Sequence, residues 1–123
     1  MSEHPVDPTD AQIQAVLNFP DDGPVVMLNL NRYRDREAYL RDYGLVAFAA
    51  IQSVGGRILW QTDVQQQVIG TDDDHYDEAI AVWYPNRAAF LGLMDHPGYL
   101  EATAAREASL EKACLLALTP PPE

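Results

Sequence analysis

The chain has 123 residues, and 47% of them are hydrophobic, which suits one globular domain with its own core and excludes a disordered chain. Eight Lys and Arg stand against nineteen Asp and Glu, for a formal net charge of −11. Nucleic acids and anionic membrane surfaces are both recognised by cationic patches, so this balance argues against either partner.

The first residues, Met1 to Pro5, have neither the basic nor the apolar segment of a signal peptide. The longest uncharged, mostly apolar stretch is residues 44–56, which is shorter than the ~20 residues of a membrane span. We therefore expect a cytoplasmic protein. Its one cysteine, Cys114, has no partner for an internal disulfide and is predicted to be a small buried hydrophobe.

The first half of the chain alternates helix, strand and helix. An acidic tail is predicted over residues 1–7, and Thr9 or Asp10 then caps a short helix. Residues 24–30 form an apolar run typical of a strand covered on both faces, and a polar loop follows over residues 31–35. From Asp35 a second helix is predicted, with apolar residues at spacings of three and four.

That second helix ends at about Val54, because Gly55 and Gly56 close it. The rest of the chain is predicted as the following elements in order: strands over residues 57–61 and 64–69, an acidic loop over 70–75, a strand over 78–84, a helix capped by Asn86, a second helical piece over about 97–112, and a final strand over 114–118.

This element order predicts an α+β fold of the ferredoxin-like type, an antiparallel sheet with helices on one face. We expect one domain over residues 1–123, with a helical extension at 8–20 and the ferredoxin-like core at 24–119. The strands at 24–30 and 78–84 show no polar face. A sheet with helices on one side needs a cover on the other, and a second copy of the chain supplies it by two-fold symmetry. The sequence therefore predicts a homodimer.

Several short motifs, taken in order, resemble the domain-of-unknown-function 1330 family. They are Asp22 to Leu30 with Arg32-Tyr33-Arg34, Gly55-Gly56-Arg57 with Leu59-Trp60, Tyr76-Asp77, Tyr84-Pro85, Phe90, and Pro97-x-Tyr99 with Arg106. The resemblance covers roughly residues 20–119. It implies a dimeric α/β barrel in a superfamily that includes cofactor-free monooxygenases, lactone isomerases, haem-degrading enzymes and chlorite-converting enzymes. Tyr76 and Asn86 depart from the family pattern, which usually has Trp and Ser there.

One helical stripe carries the most informative polar residues. It runs through His96, Tyr99, Thr103, Arg106 and Leu110 at spacings of three and four. Its apolar members turn it inward, so Arg106 needs an anionic or carbonyl partner. That partner is either the carboxylate of a ligand or an internal acid such as Asp77 or Glu107.

Three further residues are candidate ligand contacts beside Tyr99 and Arg106. Asn29 interrupts an apolar strand and either lines a cavity or only ends the strand. Arg32 follows at the strand end and either meets an anionic ligand or is solvated. Trp60 packs in the core or forms a wall of the cavity.

The candidate catalytic residues are His96, which can act as a general base near neutral pH, and Asp77. The acidic stretch Asp72 to His75 is interpreted as a solvated turn, since consecutive loop residues cannot all face one ion. We therefore expect no bound metal and no cofactor.

The predicted function is a cofactor-free enzyme, monooxygenase-like or isomerase-like, that acts on a small anionic or aromatic metabolite. The alternative is a homodimer that binds a ligand, or serves a structural role, without turnover. A haem-degrading enzyme is a more distant third, because His96 beside Pro97 is an awkward proximal ligand. The chain has no phosphate-binding glycine loop, paired-carboxylate spacing or nucleophile elbow that would name another reaction.

Overall fold

Four antiparallel strands form one sheet in the computed structural model, which describes residues 6–122. The strands are β1 (Val25–Tyr33), β2 (Arg57–Asp63), β3 (Glu78–Tyr84) and β4 (Leu110–Leu118). Their order across the sheet is β2-β3-β1-β4. With helical crossovers after β1 and β3, this is the ferredoxin-like topology, so the predicted α+β fold is confirmed.

The five described helices are α1 (Asp10–Leu17), α2 (Arg36–Tyr39), α3 (Leu45–Ser53), α4 (Arg87–Leu91) and α5 (Tyr99–Ser109). Three of them begin at the polar caps that the sequence indicates, and α3 and α5 follow Gly44 and Gly98. The Thr9 hydroxyl accepts from Gln12 N at 3.1 Å, and the Gln12 side chain accepts from Thr9 N at 2.8 Å, which makes a capping box. Asp35 and Asn86 cap α2 and α4. No described helix is long and apolar enough to span a bilayer.

The helix predicted from Asp35 to Val54 is interrupted. Between α2 and α3 lies a π-helical segment, Leu40–Gly44, which contains Tyr43. A π-turn inserts one extra residue into the helical repeat, and such turns are frequent at functional sites. Here the insertion accompanies two tyrosines, Tyr39 and Tyr43, that both point into the protein and are each 8% exposed.

The core between helices and sheet has two parts. The first joins sheet residues such as Met27 and Val82 to Ala50 and Ile51 of α3 and to Leu93. The second lies toward the other end of the helices and comprises Tyr39, Tyr43, Ala47, Ala102 and Leu110. The first part is mostly aliphatic, with Tyr84 as its buried phenol, whereas the second contains Tyr39 and Tyr43 with Tyr33 and Tyr99 packed against it, so hydroxyl groups are concentrated in the second.

Three predicted boundaries are wrong for reasons of strand pairing. Residues 64–69 form no strand, and they are exposed beyond the end of β2. Residues 31–33 belong to β1 and not to a loop, because Asn31 pairs with β3 and Arg32 pairs with β4. β4 begins at Leu110 and not at residue 114, because the continued β1 offers backbone partners to residues 110–113.

The face of the sheet opposite the first core cluster is also apolar. We call it the open face; alternation along the strands places on it Val26, Leu28, Leu30, Trp60, Ala79, Ala81, Trp83, Cys114, Leu116 and Leu118. Trp60, Leu116 and Leu118 are 50%, 45% and 40% exposed in the single chain. Large apolar side chains on one contiguous surface are typical of an interface.

Candidate functional site

Four of the six tyrosines gather between the sheet and the helices. We call Tyr33, Tyr39, Tyr43 and Tyr99 the tyrosine cluster. Successive ring centroids lie 4.9, 5.2 and 5.8 Å apart in that order, within the range of edge-on and tilted aromatic pairs. Tyr33 ends β1, Tyr99 begins α5, and the other two come from the helical segment between Asp35 and Gly44. Three different elements therefore build the cluster.

A buried amide organises the hydroxyl groups. Asn31 is 2% exposed, and its Nδ2 donates to the hydroxyls of Tyr33 at 3.3 Å and Tyr39 at 3.4 Å. On the far side, the hydroxyls of Tyr43 and Tyr99 are 2.8 Å apart and hydrogen bonded. The cluster is thus a set of packed aromatic rings whose hydroxyl groups are oriented by hydrogen bonds.

Glu78 is a buried carboxylate at the edge of the cluster, and sequence reasoning missed it. It is 3% exposed and accepts from the Tyr33 hydroxyl, from Arg36 Nη2 at 2.7 Å and from Gln61 Nε2 at 3.0 Å. The sequence did contain a feature that could have identified Glu78, because it is the first residue of a strand that is otherwise apolar. A buried carboxylate is tolerated only when its oxygens accept hydrogen bonds or pair with cations, as those of Glu78 do.

Burial holds the phenols of the cluster in their neutral form. Desolvation raises the pKa of Tyr33, Tyr39 and Tyr43 well above the ordinary range. The hydrogen bond to Glu78 raises the pKa of Tyr33 further, and the neighbouring Tyr99 does so for Tyr43. At neutral pH these phenols are therefore neutral, and the Tyr39 hydroxyl, which accepts from Asn31, can donate its proton to an anion.

The raised pKa values predict unfolding in alkali. Tyr39, Tyr43 and Tyr84 are all under 9% exposed, and burial raises the pKa of each. Below pH ~10 both folded and unfolded states keep these protons, so stability is constant. Above it the unfolded state alone releases them. The free energy of unfolding should then fall as pH rises, by up to ~1.4 kcal/mol per pH unit for each such phenol.

Urea unfolding at pH 8, 10.5 and 11.5 measures this loss. Tyr84→Phe removes one titrating phenol, so its slope above pH ~10 should be shallower than the wild-type slope by up to ~1.4 kcal/mol per pH unit. Equal slopes in the two proteins would show that Tyr84 ionises normally in the folded state.

Arg106 lies beside the cluster and is held by the N-terminal segment. Its Nη1 donates to the carbonyl oxygen of Val6 and to Asp7 Oδ1 at 3.1 Å. Its Cζ lies 6.0 Å from the ring centroid of Tyr43. The Arg106 side chain is 17% exposed, whereas that of Asp7 is 48% exposed. Arg106 does have an internal acidic partner, but the prediction of Asp77 or Glu107 is wrong. The partner is Asp7, near the other end of the chain.

Two predicted ligand contacts, Tyr99 and Arg106, are thus both near Tyr43. Asn29 is on the helix side of β1, but its Nδ2 donates to the backbone carbonyls of Met27 and Ile80, both at 3.3 Å. Asn31, two residues on and on the same face, is the amide that contacts the tyrosines.

The other two predicted contacts, Arg32 and Trp60, lie on the open face and do not share a pocket with Arg106. Arg32 is no solvated loop residue, since it is 5% exposed. Its guanidinium donates to Asp73 O at 3.2 Å and lies 3.4 Å from Glu111 Oε1. Trp60 pairs with Ala81 of β3, and register places both on the open face.

Two cationic side chains, those of Lys112 and Arg32, bind the acidic loop. Lys112 Nζ lies 3.0 Å from Asp74 Oδ1 and 3.9 Å from Asp73 Oδ2, and Arg32 also reaches Asp73. The predicted solvated turn is thus anchored to β1 and β4. Among residues 6–122 there is no group of three His, Cys, Asp or Glu side chains that could hold a metal ion.

The two candidate catalytic residues are placed apart. Asp77 Oδ2 accepts from Tyr33 N at 2.9 Å, and Asp77 N donates to Asn31 O at 2.8 Å, so this residue secures the end of β1. His96 immediately precedes the turn into α5, where its carbonyl accepts from Tyr99 N at 3.0 Å. Within residues 6–122 no side-chain hydrogen bond orients the His96 ring, as a general base requires.

A solved structure decides the relationship of this chain. A protein of unknown function from Rhodopseudomonas palustris shares 31% sequence identity with it over 98% of this chain and 99% of its own, at a TM-score of 0.89. The chain belongs to the same family as that protein. A methylated form of the relative matches equally well, with 30% identity, coverage of 97% and 96%, and a TM-score of 0.88.

More distant structures share the fold alone. SnoaB, a cofactor-independent oxygenase from Streptomyces nogalater, is 14% identical over 82% of this chain and 96% of its own, at a TM-score of 0.56. A hydroxynitrile lyase from Passiflora edulis is 15% identical over 80% and 94%, also at 0.56. No family model and no curated protein matches the chain. Membership of the domain-of-unknown-function 1330 family therefore stays a prediction.

Proposed function

We propose that this protein is a homodimer that binds a small anionic metabolite at the tyrosine cluster, with Arg106 as the anchor. The observation that carries the proposal is the position of Arg106, a mostly buried guanidinium 6.0 Å from the ring of Tyr43 and already engaged by two oxygen acceptors. A guanidinium in that environment offers charge-assisted hydrogen bonds to a carboxylate.

The surroundings of Arg106 suit a small organic anion. The rings of Tyr43 and Tyr99 give apolar walls, their hydroxyls are hydrogen bonded to each other, and burial keeps the Tyr43 phenol neutral by raising its pKa. Binding sites for small molecules combine mostly apolar linings with a few oriented polar groups. An aromatic or branched carboxylate fits this combination best.

The open face supports the dimer. Its centre is formed by Leu28, Leu30 and Ala81, and the large side chains of Trp60 and Leu116 flank that centre. A second copy is the occupant that we propose, because an apolar patch is complementary to itself, and its burial can outweigh the repulsion between two chains of formal net charge −11. The same patch on both copies forms an isologous interface.

A second candidate function is a cofactor-free enzyme, monooxygenase-like or isomerase-like. It is favoured by the pair of Tyr33 and Glu78, in which the phenol donates a hydrogen bond to a buried carboxylate. Such a pair can pass a proton to a substrate held in the cluster. Turnover of a bound carboxylate that Tyr33→Phe abolishes, while binding is unchanged, would establish this function over simple binding.

Arg106→Met is expected to fold and dimerise normally but to lose binding of carboxylates. A screen with benzoate, phenylacetate and isovalerate, each beside its uncharged amide, identifies a ligand by calorimetry. Loss of a charge-assisted contact should weaken the carboxylate by about 1.5–3 kcal/mol and leave the amide nearly unchanged. Arg34→Met is the matched control, since Arg34 is exposed and only reaches the carbonyl of Ala108 at 3.4 Å.

Melting temperature must be measured on the same variants. If Arg106 were only a structural ion pair, Arg106→Met would lower the melting temperature while the affinity of each folded molecule stayed at the wild-type value. That result would contradict the proposed role of Arg106 in binding.

A further inference from the structure

The segment that reaches Arg106 has the chemistry of a ligand. We call residues 6–9 the N-terminal strap. Val6 packs against the second core cluster, which includes Tyr39 and Tyr43, while its carbonyl oxygen accepts from Arg106 Nη1. Asp7 adds a carboxylate oxygen 3.1 Å from the same nitrogen. One guanidinium nitrogen thus meets an amide carbonyl and a carboxylate from two consecutive residues, while the branched side chain of the first packs against the second core cluster.

The strap is weakly held apart from this contact. The helix that follows it, α1, has no buried residue. The Asp7 side chain is 48% exposed, in contrast to the 17% of Arg106. Asp7 also lies beside a second acid, Glu107, and its proximity raises the pKa of the Glu107 carboxyl. An anion that pairs with Arg106 without contacting Glu107 avoids the repulsion between these two acids, so it has an electrostatic advantage over the Asp7 carboxylate.

We propose that the N-terminal strap is an internal stand-in for the ligand, and that the ligand displaces it from Arg106. The inference rests on the proposed function and specifies its ligand class. From the Val6 carbonyl to the Asp7 carboxylate the connected atoms are those of an N-acyl β-amino acid, with the Val6 side chain as a branched acyl group. The site therefore takes small carboxylates that carry an amide or keto carbonyl and a branched apolar end.

The smallest probe that copies these groups is N-isovaleryl-β-alanine, and its C-terminal amide is the uncharged control. Calorimetry on the full chain should show that wild-type protein binds the acid and not the amide. Asp7→Asn should bind the acid about fivefold more tightly, because a neutral side chain competes less well than a charged one for the guanidinium. Asp22→Asn removes an equal charge from an exposed loop and should match the wild type.

Displacement has its own measurement, which is hydrogen exchange. Saturating the wild type with N-isovaleryl-β-alanine should speed exchange in the peptide that covers residues 6–13, because the strap and α1 are released. The amide analogue at the same concentration should leave that peptide unchanged.

The possible failures are separable. If wild type and Asp7→Asn bind the probe with equal affinity and Arg106→Met does not bind it, the strap does not compete with the ligand. That result would contradict this inference but not the proposed binding site. Binding of benzoate or isovalerate but not of the probe would overturn the ligand class. If neither the wild type nor Asp7→Asn binds any of these carboxylates, the proposed function and this inference both fail.

Discussion

Leu28→Lys is expected to abolish the dimer that we propose. Leu28 lies in the middle of the open face, between Ala81 of β3 and Leu116 of β4. An ammonium group buried there without a partner costs several kcal/mol, and two-fold symmetry places one in each copy. A nanomolar dimer is worth about 12 kcal/mol, so the doubled cost should shift it largely to monomer at micromolar concentration.

Light scattering measures the outcome directly. The wild type should have about twice the chain mass of 13.7 kDa, and Leu28→Lys should have the mass of one chain. The matched control is Leu45→Lys, because Leu45 is 72% exposed in α3. That variant should remain dimeric. A wild-type protein of single-chain mass would rule out the homodimer, whatever the variants do.

If Leu28→Lys fails to fold, the dimer can be tested by a milder change. Leu116→Ser on β4 removes apolar surface from a residue that is 45% exposed in the single chain, so its cost to the isolated fold is small. It should raise the dissociation constant measured by sedimentation. An unchanged dissociation constant would place the contact between copies elsewhere.

Glu78→Ala is expected to cause the largest loss of stability of any single substitution outside the aliphatic core. The carboxylate is 3% exposed, and its removal leaves a cavity and takes an acceptor from the Tyr33 hydroxyl, from Gln61 and from Arg36, which keeps only Asp63. Losing hydrogen bonds to a buried charged group costs about 1.5–3 kcal/mol. Urea unfolding should register this as a lower midpoint at an unchanged slope.

Asp63→Ala is the matched control for Glu78→Ala, because both acids pair with Arg36. Arg36 Nη2 lies 2.6 Å from Asp63 Oδ1 and 2.7 Å from Glu78 Oε2, but Asp63 is 70% exposed. Asp63→Ala removes a pair of nearly equal length that water already screens, so it should cost less than about 1 kcal/mol. Similar losses for the two variants would show that burial of Glu78 does not set the strength of this pair.

Short-range patterns in the sequence determined much of the fold. The capping box at Thr9, the caps at Asp35 and Asn86 and the strand Glu78–Tyr84 all depend on residues within a few positions of one another. The apolar character of both faces of β3 is likewise a local alternation of residue types. Because these features involve no distant partner, sequence alone could predict them and the ferredoxin-like order that they imply.

The composition of the candidate site was decided only by the tertiary structure. Arg106 is paired with Asp7, 99 positions away, and Glu78 meets Arg36, 42 positions away. Helical spacing correctly grouped Tyr99 with Arg106, but it could not show that Tyr33, Tyr39 and Tyr43 join them from other elements.

The tertiary structure also decided what the side chains on each face of the sheet contact. Asn29 and Asn31 share one face of β1, and only strand pairing and helix packing show that Asn31 reaches the tyrosines while Asn29 bonds to backbone carbonyls. Arg32 and Trp60 are one face away from Arg106 because successive strand residues point to opposite sides. The sequence by itself determined the elements and the apolar sheet; the folding of distant segments against one another decided which polar groups meet, because each such contact depends on strand register and helix placement.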